Sequence, residues 1–314
     1  MEALTTYNCG IHAVDANYVR PMMASIHLVV ENGRVAIIDT GNNESLIGVL
    51  ASLAGLGLTA DQVDYVILTH VHLDHAGGAG AMMKAFQNAR LVVHPRGARH
   101  MADPSKLVAG ATAVYGPAEM RRLYGEVVPI DASRIVEATN GFLLNLAGRE
   151  LQCLDTPGHA RHHICLYDSK SGHIFVGDTF GLSYRELDTD GRQFIFPTTS
   201  PVQFDPDAMH ASLDLLMSYR PEAVYLTHYS QVRDVAAKAR DLHRLIDAHL
   251  AVARFESAAG PERHARIRAG LAHLLVDEAK SFGCLLQPAE ILRIHAADLD
   301  LNAQGLGVWL DSRG

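Results

Sequence analysis

Through the first two-thirds of the chain, short β-branched apolar runs alternate with stretches whose apolar positions recur every three or four residues. Ile26-His27-Leu28-Val29-Val30 and Val35-Ala36-Ile37-Ile38-Asp39 flank Glu31-Asn32-Gly33-Arg34, so a hairpin turning at Asn32-Gly33 is expected. Helical spacing follows from Ser45 to Leu56. Val63 to Leu68 is nearly all apolar and ends at Thr69-His70, the pattern of a buried strand delivering its last residues to a site. A helix is predicted over Ala79 to Asn88 and another buried strand at Leu91-Val92-Val93.

From Ile135 to Cys165 the pattern returns to strands, with Phe142-Leu143-Leu144, Leu151-Gln152-Cys153-Leu154 and then His163-Ile164-Cys165-Leu166-Tyr167. Gly172-His173-Ile174-Phe175-Val176-Gly177-Asp178 and Ala223-Val224-Tyr225-Leu226-Thr227-His228 are further apolar runs that end on a polar residue, with a helix over Asp207 to Tyr219 between them. After about Val232 only helices are predicted. Val235, Ala239, Leu242, Ile246, Leu250 and Ala253 share one face, as do Ile267, Leu271, Leu274 and Leu275. Gly260-Pro261 and Gln287-Pro288 punctuate these helices, and a last one is expected around Leu299 to Leu310.

Composition narrows the class. The 314 residues are 48% hydrophobic and 20% charged, which is ordinary for a folded globular chain. A net charge of -8 and the absence of any Lys/Arg run argue against a nucleic-acid surface. No apolar run approaches a membrane span, and Met1 to Gly10 lacks the pattern of a secretory leader. Cys9, Cys153, Cys165 and Cys284 form no CxxC pair and are expected as reduced thiols. The expectation is a cytoplasmic protein that takes a small-molecule substrate and binds neither nucleic acid nor membrane.

The chemistry concentrates in Thr69-His70-Val71-His72-Leu73-Asp74-His75-Ala76-Gly77-Gly78. In extended or tightly turned backbone, His70 and His72 project to one side and can grip one ion together. Asp74 and His75, at the expected start of a helix, point elsewhere, while Gly77 and Gly78 permit close backbone approach. Imidazole and carboxylate suit zinc, manganese or iron, and no thiolate stands among them, so a closed cysteine-rich structural site is disfavoured.

The HxHxDH stretch resembles the fingerprint of the metallo-β-lactamase superfamily. Further along, Thr156-Pro157-Gly158-His159, Val176-Gly177-Asp178 and Leu226-Thr227-His228 resemble its later ligand motifs, and upstream Ile38-Asp39-Thr40-Gly41 resembles its supporting aspartate motif. The resemblance implies an α/β fold, a four-layer αββα sandwich, over residues 1–232, with a helical C-terminal extension over 233–314 that serves as a lid or a homodimer interface. It also implies two divalent metal ions, zinc first and iron or manganese as alternatives, held by His70, His72 and His159 and by Asp74, His75 and His228. Asp178 bridges in that arrangement and Asp39 supports it.

Such an ion pair activates a water for attack on a carbonyl or phosphoryl centre, with Asp74 and Asp178 as the catalytic carboxylates. In the loop Thr179 to Ser200, Tyr184 and Arg185, with Arg192 and Phe194 nearby, could meet an anionic substrate with an apolar part; Tyr229 could donate to an oxyanion. His162 and His163 are expected to support the metal loop, and His12, His27, His94, His100 and His210 lack partner spacing and are read as non-ligands.

Members with helical tails resemble glyoxalase II and other thioesterases, which makes a thioester or related carboxylic ester the first expectation. The alternatives are a mononuclear iron persulfide dioxygenase, a lactonase or phosphodiesterase of the same fold, and a non-catalytic binding protein.

Overall fold

The structure, a computed structural model, describes residues 4–199 and 201–313. Part of the N-terminal stretch read for a leader (Met1 to Ala3) and the end of the Thr179 to Ser200 loop (Ser200) lie outside the described residues. The chain divides into two compact units. The first comprises residues up to Asp155 with His162–Gly177 and Val224–Gln231; the second comprises Thr156–Arg161, Asp178–Ala223 and the chain from Val232 onward.

In the first unit a seven-stranded sheet runs in chain order. Its strands are β1 (Leu4–Thr6), β2 (Ile11–Asp15), β3 (Ser25–Glu31), β4 (Arg34–Ile38), β5 (Val63–Ile67), β6 (Arg90–Val93) and β7 (Ile135–Glu137). Strands β1 to β4 pair antiparallel and β4 to β7 parallel. The predicted hairpin is there: Glu31 pairs with Arg34, and Asn32 and Gly33 both have positive φ (46° and 74°), as a type I′ turn requires. A six-stranded sheet has the order β13-β12-β11-β10-β9-β8, from β8 (Leu143–Leu146), β9 (Arg149–Asp155), β10 (Ile164–Asp168), β11 (His173–Gly177), β12 (Val224–Leu226) and β13 (Ser230–Val232).

Period-two alternation gives each sheet an apolar face, and the two faces make one core. Val29, Ala36, Ile38, Ile67 and Val92 from the first sheet cluster with Leu144, Leu151, Cys153, Ile164, Leu166, Phe175 and Tyr225 from the second. Cys153 is buried, and that burial pushes its thiol up to about 12, so it behaves as a small apolar side chain.

The helices of this unit are α1 (Ser45–Gly55), α2 (Leu73–Ala76), α3 (Ala79–Ala85), α4 (Pro95–Ala102), α5 (Ser105–Tyr115) and α6 (Pro117–Tyr124). The predicted helix ending at Asn88 stops at Ala85, with Phe86 turned into the core. Helices α4 to α6 lie where the apolar pattern gave no clear element. Helix α5 buries none of its residues, so it carries no core-facing stripe that a sequence could display.

The second unit contains α7 (Pro206–Ser218), α8 (Val235–Phe255), α9 (Arg263–Phe282), α10 (Pro288–Ile294) and α11 (Ala296–Asp311). All six apolar positions predicted to share a face of α8 are buried, as are Ile267, Leu271 and Leu275 of α9. Asn302 of α11 ties the 178–199 segment down, donating from Nδ2 to Pro197 O (3.1 Å) and accepting from Thr199 N (2.7 Å). Among the described residues no helix is long and apolar enough to cross a membrane.

Candidate metal centre

Strand β5 ends at Ile67, and the chain runs on through Leu68 and Thr69 into His70, His72 and then α2, which carries Asp74 and His75. Close packing here depends on Gly78. A Cβ on Gly78 would stand 2.4 Å from Asn42 O and 2.6 Å from Thr40 O, so the turn after α2 fits against the Asp39-Thr40-Gly41 loop only without a side chain.

Asp39 organises this loop. It is 1% exposed and has φ of +59°, a left-handed conformation that aspartate tolerates better than most residues. Its Oδ1 accepts from Thr69 N (2.8 Å), and Oδ2 accepts from Thr227 Oγ1 (2.7 Å) and from His75 Nδ1 (2.8 Å). The last contact commits the Nδ1 proton of His75 and leaves its Nε2 as a lone pair. His228, two residues past β12, is set the same way: its Nδ1 donates to Met23 O (2.7 Å), and a carbonyl can only accept.

Both Nε2 atoms face Asp74. Its Oδ2 stands 3.3 Å from His228 Nε2 and 3.7 Å from His75 Nε2, and one donor atom from each of the three residues fits within 4.8 Å of the others. Two imidazole lone pairs converging on a carboxylate oxygen make a site that calls for a cation, and nitrogen with oxygen donors fit zinc, iron or manganese. His70 and His72 also face one another, with Nε2 of the first 2.9 Å from Nδ1 of the second.

The remaining two predicted ligands belong to the second unit. His159 and Asp178 stand 3.5 Å apart there, Nε2 to Oδ2, and His159 Nδ1 lies 3.1 Å from Thr198 Oγ1. Asp178 follows directly on Gly177, the last residue of β11, which has φ of +47°. A Cβ on Gly177 would meet His163 Nε2 at 2.6 Å and Thr69 Oγ1 at 2.7 Å.

His163 is fully buried and stacks on the His70 ring with centroids 5.0 Å apart. His162 accepts from Val71 N through Nδ1 (3.4 Å), and burial, followed by the neighbouring histidines 72, 100 and 94, pushes it down to about 3. It therefore stays neutral beside the metal loop. Sequence reading placed Thr69 and Thr227 inside the motifs without giving them a role, and did not single out the Met23 carbonyl, because these contacts depend on which strands lie next to one another.

Tyr184, Arg185 and Tyr229 hold particular positions. Tyr184 is buried, with its hydroxyl donating to Asp298 Oδ1 (3.2 Å) and its ring on His295. Arg185 pairs with Asp188 (3.3 Å) and donates to Ser183 O from Nε (3.0 Å). Tyr229 is buried directly after His228. Arg192 covers the Phe282 ring at 4.6 Å, and Phe194 packs on Phe196 and Phe282.

A sequence model of the metallo-beta-lactamase superfamily matches residues 19–228. Among curated proteins, the metallo-beta-lactamase fold-containing protein ST1585 of Sulfurisphaera tokodaii is 26% identical over 224 residues, covering 70% of this chain and 78% of that protein. A hydroxyacylglutathione hydrolase of Xanthomonas euvesicatoria is 30% identical over 204 residues, covering 65% of this chain and 59% of that enzyme. Among solved structures, the metallo-beta-lactamase family protein TTHA1429 of Thermus thermophilus superposes with a TM-score of 0.68 at 20% identity, covering 97% of this chain and 94% of that one. With the strand-end histidines, the supporting Asp39 and this match over most of its length, the chain belongs to the metallo-β-lactamase superfamily.

Proposed function

We propose that this chain is a metal-dependent thioester hydrolase whose centre takes two divalent cations, zinc being the first choice. The ligands are His70, His72, Asp74, His75, His159, Asp178 and His228. The observation that carries the metal reading is the pair of committed tautomers at His75 and His228, which turn two Nε2 lone pairs toward Asp74. The family-named relative hydroxyacylglutathione hydrolase, itself a thioesterase by name, favours thioesters among the ester-like substrates.

Cations bound in such a site lower the pKa of a water and polarise the acyl oxygen. The chain's own part is orientation. Asp39 holds the ring of His75, the Met23 carbonyl holds the ring of His228, and Asp74, 22% exposed, is the solvent-facing carboxylate of its group and can hold a water proton. Buried His163 stacks on the His70 ring, and buried His162, held neutral by its lowered pKa, accepts from Val71 N within the same loop.

The test is metal analysis of the purified protein, followed by turnover of a panel of thioesters, lactones, phosphodiesters and β-lactams. Oxygen uptake with a small persulfide is measured in parallel. The expected result is two equivalents of metal and the highest kcat/KM on a thioester. A single iron with persulfide-dependent oxygen uptake would replace the hydrolase reading with a dioxygenase. A higher kcat/KM on a lactone or phosphodiester would keep the fold's hydrolysis and reject the substrate class.

A further inference from the structure

The second unit holds another cluster of metal-capable side chains. His210 and Asp214 sit one turn apart on α7, and His243 and Asp247 sit one turn apart on α8, so each pair shares a helix face. The pairs cross. His210 Nε2 is 3.3 Å from Asp247 Oδ1, and His243 Nε2 is 3.3 Å from Asp214 Oδ1. Rising number on one helix thus meets falling number on the other, and the two helices run antiparallel here.

Between these outer contacts the imidazoles face each other directly. Their Nδ1 atoms are 2.6 Å apart, and the rings lie parallel within 3°. A carboxylate beside each Nε2 favours the proton on that nitrogen. With both Nδ1 atoms as lone pairs, their 2.6 Å separation is stable only with a shared proton, as in a hydrogen bond, or a metal cation between them. His70 and His72 present facing imidazole nitrogens too, at 2.9 Å.

We propose that His210 and His243 form a second, separate site for a divalent transition-metal ion. The Nδ1 atoms are its ligands, and Asp247 and Asp214 orient the rings through Nε2. Zinc–imidazole bonds of roughly 2.0–2.1 Å at a tetrahedral angle need the nitrogens to part to about 3.3 Å. Both histidines are partly exposed, at 25% and 30%, so the rings have room to open and water can complete the coordination. Imidazole donors with water favour zinc, nickel or copper over calcium or magnesium. Sequence spacing gave no hint of this site, because each histidine's partner comes from the other helix.

Equilibrium dialysis of the full chain against zinc, with metal counted per chain, tests the assignment. His243→Gln should bind one equivalent fewer than the wild type, and His210→Gln should match it. Asp214→Asn should keep that equivalent but weaken it roughly 10-fold to 100-fold. Zinc-soaked crystals should show one anomalous peak within bonding distance of both Nδ1 atoms. Equal stoichiometry in the wild type and both histidine variants, or a soaked crystal with no peak between the rings, would mean the pair shares only a proton and would overturn the site. Neither result touches the hydrolase reading, whose ligands are unchanged in all three variants.

Discussion

Asp39 Oδ2 accepts the Nδ1 proton of His75 at 2.8 Å, from a residue held in left-handed backbone and almost wholly buried. The same carboxylate also takes donors from Thr69 and Thr227, so it fixes three strand ends as well as one ring. Asp39→Asn removes the charge and turns an NH2 group toward at least one of these donors. Metal affinity is expected to fall roughly 10-fold to 100-fold, with a stability loss of about 1–3 kcal/mol from the mispaired buried group. Chelator competition and urea unfolding read the two effects separately. Unchanged affinity would remove Asp39 from any positioning role.

Gly177 connects β11 to Asp178 in a conformation that favours glycine, and the space beside it is filled by His163 and Thr69. Gly177→Ala is expected to cost about 1–3 kcal/mol from strain and crowding together and to reduce metal content by displacing Asp178. Urea denaturation and metal analysis check it. Wild-type stability would show that the turn can relax, contrary to the buried contacts on both sides.

Much of the centre was legible in the sequence because strand ends are marked by apolar runs that stop at a polar residue. Val63 to Leu68 and Ala223 to Leu226 announce where Thr69-His70 and Thr227-His228 emerge. The tautomers of His75 and His228 were not legible, since Asp39 and Met23 reach them from segments 36 and 205 residues away along the chain. Helices α4 to α6 were missed for a different reason: α5 buries none of its residues, and α4 and α6 are eight residues long with three buried positions each, too short a stripe to establish a period. The His210–His243 contact was invisible because i,i+4 spacing joins each histidine to an aspartate on its own helix, while the pairing runs between helices.

Arg149 and Asp168 form a fully buried ion pair between β9 and the end of β10. Arg149 Nε donates to Asp168 Oδ1 at 2.8 Å, and Nη1 donates to Cys9 O at 2.6 Å. Removing one partner strands the other charge, so Arg149→Met is expected to cost about 3–5 kcal/mol. Arg149→Met with Asp168→Leu should recover at least half of that loss, because no unpaired charge is left inside. Urea midpoints of the two variants decide it; a double variant no better than the single would place the cost in packing or in the Cys9 contact instead.

His249 gives the second unit an acid limit of its own. The ring is fully buried in α8, Nδ1 donates to Leu245 O at 2.7 Å, and Nε2 has no hydrogen-bond partner among the described residues. Burial pushes its pKa down to about 4. A base whose folded pKa lies below its unfolded value near 6.5 is held neutral by the fold, so its contribution is complete above pH 6.5 and is lost as pH falls toward 4. By linkage the full effect is about 3 kcal/mol, an order-of-magnitude figure, with about 2 kcal/mol gone by pH 5. His249→Leu removes the titrating group while keeping an apolar side chain against Phe196, whose ring lies 4.8 Å from that of His249. Its unfolding free energy should therefore fall less than the wild type's between pH 7 and pH 5. Parallel urea titrations at the two pH values measure the difference, and equal slopes for both proteins would show that His249 takes up its proton without cost to the fold.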